Sequence, residues 1–302
     1  MKSRELTILL DEIRQTKKMS MNDFIENIVS LRQYKRYLYG TSEMPYKIFI
    51  KLCDKLKWNP MNILNELDQK KIAQLQTLDK FYNYVVSYNF DEASKLVNIL
   101  KNTVFVDTNF ETYFKIGLLL MEYWKSPTNP VSYANRCIEL INYPIIMKNE
   151  LFNPIELLAL SVLLNFIQGN EKFDIIVKLE NVLNSPNFHF LGKDFYVIQY
   201  IYVKLAKEYG IQKNDKKVID LCEKSIKLAK LNYSYFNLDY LYYYLSLAYR
   251  NFDNVQKAHY YINLLIEVID FQDNESKKNK FEHLIQSDFG FTFTSFKINY
   301  KS

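Results

Sequence analysis

The stretch Ser20–Gly40, SMNDFIENIVSLRQYKRYLYG, decides how this chain is read. It predicts two short helices joined by a tight turn. Ser20 stands at an N-cap with Asp23 at the capping-box offset, where the hydroxyl takes an orphan amide and the carboxylate meets the positive helix end. Phe24, Ile25 and Ile28 supply a buried stripe. Asn27 falls near the end of that first helix, where a left-handed residue is needed, and Asn tolerates that conformation best after Gly. Ser30 caps the second helix, with Gln33 at its capping-box offset. Tyr34, Tyr37 and Leu38 then face inward, Arg32, Gln33, Lys35 and Arg36 face outward, and Gly40 ends the run. A second helix with such an outward face suits a DNA major groove. The same residues also fit the solvated face of any surface helix in a slightly basic protein.

The wider composition narrows the choice. The chain has 302 residues, 48% of them hydrophobic, with 25 Tyr and 21 Phe against 6 Gly and 7 Pro. Few breakers and sustained apolar periodicity predict an all-α protein. Net charge is +5, and residues 1–67 carry 12 Lys/Arg against 8 Asp/Glu, so most of the excess sits at the N-terminal end. That is the distribution expected of a segment that meets phosphates. Cys53, Cys137 and Cys222 lie far apart within apolar helical patterns and read as small buried hydrophobes of a reducing compartment. Lys2, Arg4, Glu5, Asp11 and Glu12 exclude a signal peptide at the N-terminus. The longest apolar run, Leu157 to Ile167, is too short to span a bilayer and includes Ser161 and Asn165. A cytoplasmic protein without a membrane partner is expected.

Five helices are expected in the first part. Leu6, Leu9, Leu10 and Ile13 mark the first, the capped pair follows, and Ile48, Phe49, Leu52 and Leu56 mark a fourth over Tyr46 to Lys57. Asn59-Pro60 starts a short fifth helix through Ile63 and Leu64. The polar run Asp68 to Lys71 reads as a join, giving a domain over 1–67, a linker over 68–75 and a second domain over 76–302. In that second domain, polar turns at Asn89–Ala93, Ser126–Pro130, Gln168–Glu171, Gln212–Asp215 and Asn251–Asn254 recur near the forty-residue spacing of helical-hairpin repeats. One unit follows the tetratricopeptide pattern, with Tyr242, Leu245, Ser246, Tyr249 and Ala258 at its aromatic, Leu, small, Tyr and small positions. Tyr202, Leu205, Ala206 and Tyr209 repeat its first helix, with Val218 replacing the small residue. Tyr113, Ile116 and Gly117 give a weaker instance.

The N-terminal segment resembles the lambda-repressor-like helix-turn-helix domains. It is most similar to the short-turn variant of the peptide-pheromone receptors called the RRNPP family. There the turn reads roughly A-x-G-I-x-S, against Ile25-Glu26-Asn27-Ile28-Val29-Ser30 here, with Asn27 at the Gly position. Tyr34, Lys35, Arg36, Tyr37 and Gly40 meet the pattern that follows, and Leu38 departs from the family's usual Glu. A tetratricopeptide-like array after such a domain is the family's layout, so the resemblance implies a transcription regulator with a helix-turn-helix domain and a peptide-sensing solenoid.

On that resemblance Arg32, Gln33, Lys35 and Arg36 face the groove, where Arg pairs with guanine and Gln with adenine. Gln33 in its own capping box would leave the readout to Arg32 and Lys35. Ser20, Ser30 and Tyr39 are candidates for phosphate contacts. A homodimer on a double-stranded DNA operator is implied, because two half-sites require two domains. Tetratricopeptide offsets place Tyr240, Tyr243, Leu247, Arg250 and Asn251 on the concave face, with Asn165 and Lys207 as counterparts in earlier pairs. An Asn amide suits a short signalling peptide, since it pairs with both N–H and C=O groups of an extended chain. Lys277 to Ser287 and the aromatic tail after it read as a cap on the solenoid or a dimer contact. His189, His259 and His283 have no partner at metal spacing, and no catalytic motif appears, so neither an enzyme nor a cofactor nor a metal is expected. The alternative is a helical-repeat scaffold that sequesters peptides or proteins and does not bind DNA.

Overall fold

Ser20 and Ser30 both cap helices in the computed structural model, which describes residues 3–126, 129–185 and 195–300. The N-terminal helices are α1 (Ser3–Thr16), α2 (Met21–Ile25), α3 (Leu31–Leu38), α4 (Tyr46–Leu56) and α5 (Pro60–Val86). Asn27 has φ +59°, the left-handed conformation that lets α2 end and the chain turn into α3. Gly40 ends the turn after α3 at φ +74°, and a Cβ there would come within 2.9 Å of the Arg4 side chain.

Phe24, Tyr34, Leu10, Leu52 and Leu56 are fully buried together, and the edge of one ring meets the face of the other in the Phe24–Tyr34 pair, with centroids 5.7 Å apart. A polar network ties this core to the surface. Arg14 grips the Asp11 carboxylate with Nε at 2.8 Å and a second nitrogen at 3.1 Å, and donates to the Met19 carbonyl at 2.6 Å. The Tyr34 hydroxyl and Gln15 amide also donate to Asp11, at 3.3 and 2.7 Å. Burial opposes the charged Asp11 carboxylate, yet the hydrogen bonds from Arg14 and Gln15 outweigh it and hold its pKa below the ordinary value. Stabilisation from a carboxylate held low is complete above its unfolded-state pKa and is lost as pH falls through the folded value. Asp11→Asn is therefore expected to cost about 3 kcal/mol, read as lost amide hydrogen-exchange protection in α1 and α3 at neutral pH. The difference from the parent should shrink under acid.

One expectation fails at α5. The fifth helix does not stop at Leu64 but runs 27 residues, and residues 68–75, expected as a linker, lie inside it. Asp68 to Lys71 contains no breaker, and its two lysines are ion-pair partners rather than a loop signal. Lys71 meets Glu5 at 2.6 Å and Lys70 pairs with Glu12, fastening α5 to α1. Farther along, the Gln74 amide brackets an extended segment, donating to the Val104 carbonyl and accepting from Val106 N, both at 3.0 Å. Val106 thereby joins the core of the N-terminal helices.

The chain continues through α6 (Phe90–Lys101), α7 (Thr108–Lys125), α8 (Pro130–Ile141), α9 (Pro154–Leu163), α10 (Gly169–Asn184), α11 (Phe195–Ile211) and α12 (Asp215–Leu231). It ends with α13 (Leu238–Asn251), α14 (Val255–Gln272), α15 (Glu275–Phe289) and α16 (Phe293–Tyr300). No strand occurs among the described residues. Two compact units result, Met1–Asn83 with Asp91–Phe114, and Tyr84–Phe90 with Lys115–Ser302.

Asparagine sets the start of many helices in the second unit. Asn129, Asn153, Asn214, Asn254 and Asn274 each accept a backbone N–H in the first turn of the helix that follows, so the Asn-rich turns act as caps. The apolar run from Leu157 becomes α9, buried on all sides and closed at its start by a full capping box from Asn153 and Glu156. No helix among the described residues is long and apolar enough to cross a membrane.

From α11 to α15 each helix packs on the next, and α11 also packs on α13, the pattern of stacked hairpins. The positions singled out by the tetratricopeptide spacing lie inside this packing. Leu245 and Ser246 are fully buried and Ala258 nearly so, where α13 and α14 approach closely. Cys53, Cys137 and Cys222 are all buried free thiols. His189 and the Pro127-Thr128 part of one expected turn lie outside the described residues.

Candidate nucleic-acid interface and ligand cavity

Helix α3 divides its side chains cleanly. Tyr34 and Tyr37 are buried, while Arg32, Lys35, Arg36 and Tyr39 are exposed. The exposed four recur at i, i+3, i+4 and i+7, which puts them on one face of the helix. The Arg32 and Lys35 side chains form no hydrogen bond or ion pair with described residues, and the Arg36 guanidinium has one partner among them, donating to Gln33 Oε1 at 3.3 Å. Tyr39, at the end of the helix, is 73% exposed.

Gln33 departs from the reading made from spacing. Ser30 Oγ accepts the Gln33 backbone N–H at 3.3 Å, but the Gln33 side chain does not complete a capping box. Its amide nitrogen donates instead to Ser42 Oγ at 3.0 Å, across the turn that Gly40 allows. Neither alternative for Gln33 anticipated this bond, because it depends on the turn after the helix. Ser20 also has local duties. Its Oγ accepts from Asp23 N at 3.1 Å and donates to the Asp23 carboxylate at 2.6 Å. A carboxylate there repels a phosphate, so Ser30 and Tyr39 are the better placed of the three backbone candidates.

The second unit contains a cavity of about 1030 Å³. All seven residues expected to form a ligand groove line it: Asn165, Lys207, Tyr240, Tyr243, Leu247, Arg250 and Asn251. Helical periodicity explains the grouping on α13, where positions 240, 243, 247 and 251 fall along one stripe. Contact between α11 and α13 brings Lys207 to the same wall.

Several of these side chains have partners within the chain. Asn165 accepts from Lys204 Nζ at 2.7 Å and donates to the Val162 carbonyl at 2.7 Å, and Asn251 donates to Asp215 at 3.0 Å. Tyr243 donates to the Asp288 carboxylate, and Arg250 to the Asp288 carbonyl with its guanidinium over the Phe289 ring. Both contacts involve α15, which the sequence reading treated as a cap or a dimer contact. Helix α15 does cover α13, seating Phe281 against the Tyr240 and Tyr243 rings at 5.0 and 5.9 Å between centroids. It also contributes Lys280, Leu284 and Asp288 to the cavity wall.

Sequence reasoning missed the polar side chains Tyr88, Lys204 and Lys280. Lys280 donates to the hydroxyls of Tyr88 and of Tyr240, the latter at 2.8 Å, and lies over the Tyr88 ring at 4.1 Å. Tyr88 and Lys280 are far apart in sequence, so no local spacing could have paired them. Lys204 carried a usable signal, standing one turn before Glu208 in the run between Leu205 and Val203. Among the described residues no group of His, Cys, Asp and Glu is arranged to hold a metal.

No protein-family model matches the chain, and no curated protein matches it in sequence. Solved structures do match. The chain is similar to Bacillus thuringiensis PlcR in complex with the peptide PapR7 and DNA, at TM-score 0.56 and 15% identity, over 92% of this chain and 98% of that one. It is similar to ComR from S. thermophilus in complex with DNA and its signalling peptide ComS, at TM-score 0.55 and 12% identity, over 94% and 99% of the two chains. The apo form of the competence regulator ComR from Streptococcus vestibularis superposes at TM-score 0.54 and 13% identity, over 96% and 99%. PlcR and ComR are regulators of the RRNPP family, and the all-α helical-repeat fold of this chain is theirs.

Proposed function

We propose that this protein is a DNA-binding transcription regulator controlled by a short signalling peptide held in the cavity of its helical repeats. The observation that carries the reading is the pairing of two surfaces in one chain. One is a helix face of unpaired Arg32 and Lys35 with Arg36, and the other is a large cavity lined by aromatic, amide and basic side chains. The structural neighbours PlcR and ComR were solved with both DNA and a peptide, which supports assigning these ligand classes to the two surfaces.

In this reading α3 enters the major groove. Arg32 and Arg36 read base edges, Lys35 neutralises phosphate, and Ser30 and Tyr39 fix the domain on the backbone. Gln33 holds Arg36 and the following turn in place. The protein works in the cytoplasm as a homodimer, because a two-fold operator presents two half-sites about one helical turn apart. Peptide binding alters DNA affinity only through unequal affinity for the two conformations of the dimer.

Two selections on the full-length protein test this. A random double-stranded DNA library should yield one enriched, two-fold symmetric motif. A random heptapeptide library, passed over the immobilised protein, should yield peptides that change its affinity for that motif by tenfold or more. Enrichment of peptides without any DNA motif would replace the regulator with the peptide-sequestering scaffold.

A further inference from the structure

The charges inside the cavity of the second unit are unbalanced. Five basic side chains, Lys204, Lys207, Lys213, Arg250 and Lys280, line it against two carboxylates, Asp215 and Asp288. Asp215 accepts from Asn251, Asp288 accepts from Tyr243, and neither forms an ion pair with a lysine of the wall among the described residues. Glu208, the acidic neighbour on α11, is taken by Lys172 at 2.7 Å.

Lys204 is buried and Lys280 half-buried. Lys204 is 8% exposed, yet among the described residues its ammonium is in contact with neutral groups alone, the Asn165 oxygen and the face of Tyr200 at 5.0 Å from the ring centroid. Lys280 likewise has two phenol oxygens and two ring faces around it. Burial lowers the Lys204 pKa to about 7, with repulsion from Lys207 and Lys280 adding to the effect and the attraction of Glu208 opposing it. Burial also lowers that of Lys280 to about 8 against the attraction of Asp239. The carboxylates that act on them are each paired with another lysine, Glu208 with Lys172 and Asp239 with Lys277, so two cations drawn out of water without a counter-charge of their own call for an anion supplied from outside.

A third donor points to the same conclusion. Asn237 lines the cavity at the start of α13, is 6% exposed, and keeps its amide nitrogen buried with no hydrogen-bond partner among the described residues. Buried donors in native proteins are almost always satisfied, so an unpaired one in the wall that Lys204 and Lys280 also line is a vacancy for an acceptor. Tyr240, in the first turn of the helix that Asn237 opens, is the hydroxyl that Lys280 holds.

We propose that Lys204, Lys280 and the Asn237 amide form a seat for a carboxylate of the bound peptide. The proposal rests on the peptide reading above. A carboxylate has two oxygens and four lone-pair directions, enough to accept from both ammonium groups and the amide together. It arises in a peptide either as the C-terminus or as an Asp or Glu side chain, and both have the chemistry the seat requires.

Heptapeptide libraries made in three forms separate these sources: free C-terminal acid without Asp or Glu, C-terminal amide with Asp and Glu, and C-terminal amide without either. Affinity selection on the full chain should retain peptides from the first form if the seat takes the terminus, and from the second if it takes a side chain. The third form should be left unbound. Equal retention of the third form would overturn the seat while leaving the peptide reading intact. Retention from no form would remove the peptide reading, and the seat with it.

Variants of the protein give an independent check. Lys204→Met and Lys280→Met should each weaken the best retained peptide at least tenfold, as read by calorimetry. The thermal midpoint of the ligand-free Lys204→Met variant should stay level or rise, because a buried unneutralised charge has been removed. A lysine with a purely structural role would lower that midpoint and leave peptide affinity unchanged once helicity is confirmed. That outcome for both variants would overturn the assignment.

Discussion

Replacing Arg32 and Arg36 together by Ala is expected to abolish sequence-selective DNA binding without unfolding the protein. Both guanidinium groups are exposed on α3, and their only described bond to the chain is the long one from Arg36 to Gln33. Surface substitutions of this kind usually change stability by about 0.5 kcal/mol or less. Each bidentate contact from Arg to a base is worth about 1–3 kcal/mol of discrimination, so the double variant should lose roughly 30-fold or more in affinity for its selected motif. Lys35→Ala provides the contrast. A phosphate contact carries no sequence information, so that variant should weaken binding to all duplexes and reduce the salt slope by about 1. Gel-shift titration at several salt concentrations distinguishes the two patterns. Unchanged affinity of the double variant for the selected motif would remove α3 as the reading helix.

Lys277→Met is expected to destabilise the second unit by about 3–5 kcal/mol, the cost of leaving one partner of a buried ion pair uncompensated. Lys277 Nζ meets the Asp239 carboxylate at 2.5 Å, with side-chain exposures of 8% and 0%. Asp239 also accepts the backbone N–H of Tyr240 at 2.8 Å, and Lys277 donates to Gln272 at 3.2 Å. The pair therefore pins the start of α15 to the start of α13. Its loss leaves the carboxylate without a cation at a site from which water is excluded. Urea unfolding followed by circular dichroism reads the stability. Hydrogen exchange should show the loss of protection concentrated in α13 and α15 and absent from α1 to α4. The same variant should lower peptide affinity, because α15 brings Lys280 and Asp288 to the cavity. The double variant Asp239→Leu/Lys277→Met removes both charges and should recover much of the lost stability. A loss in the double variant as large as in Lys277→Met alone would show that packing, rather than charge, holds these helices together.

The helix-turn-helix segment was legible in sequence because its determinants are local. Caps, a left-handed residue and a buried stripe all act within one or two turns, so Ser20, Asn27, Ser30, Tyr34 and Gly40 could be assigned from spacing. The stripe Tyr240, Tyr243, Leu247 and Asn251 was legible for the same reason, since helical period alone sends those residues to one side. Charge patterning misled at Asp68–Lys71, where a polar run looked like a join. A run of Lys and Asp in a helix is a solvated or paired face unless a breaker accompanies it, and here its partners are Glu5 and Glu12 on a distant helix.

By itself, then, the sequence determined the all-α class, the exposed face of α3 that carries Arg32, Lys35, Arg36 and Tyr39, and the stacked hairpins. Each depends on periods and caps that neighbouring residues set among themselves. Tertiary structure alone decided which polar groups meet inside the second unit. Lys204 comes from α11, Asn237 from the start of α13 and Lys280 from α15, and no spacing relates them. Their character as desolvated cations and an amide without a described partner arises only when water is drawn away from them, because desolvation is a property of the packed helices and not of any segment.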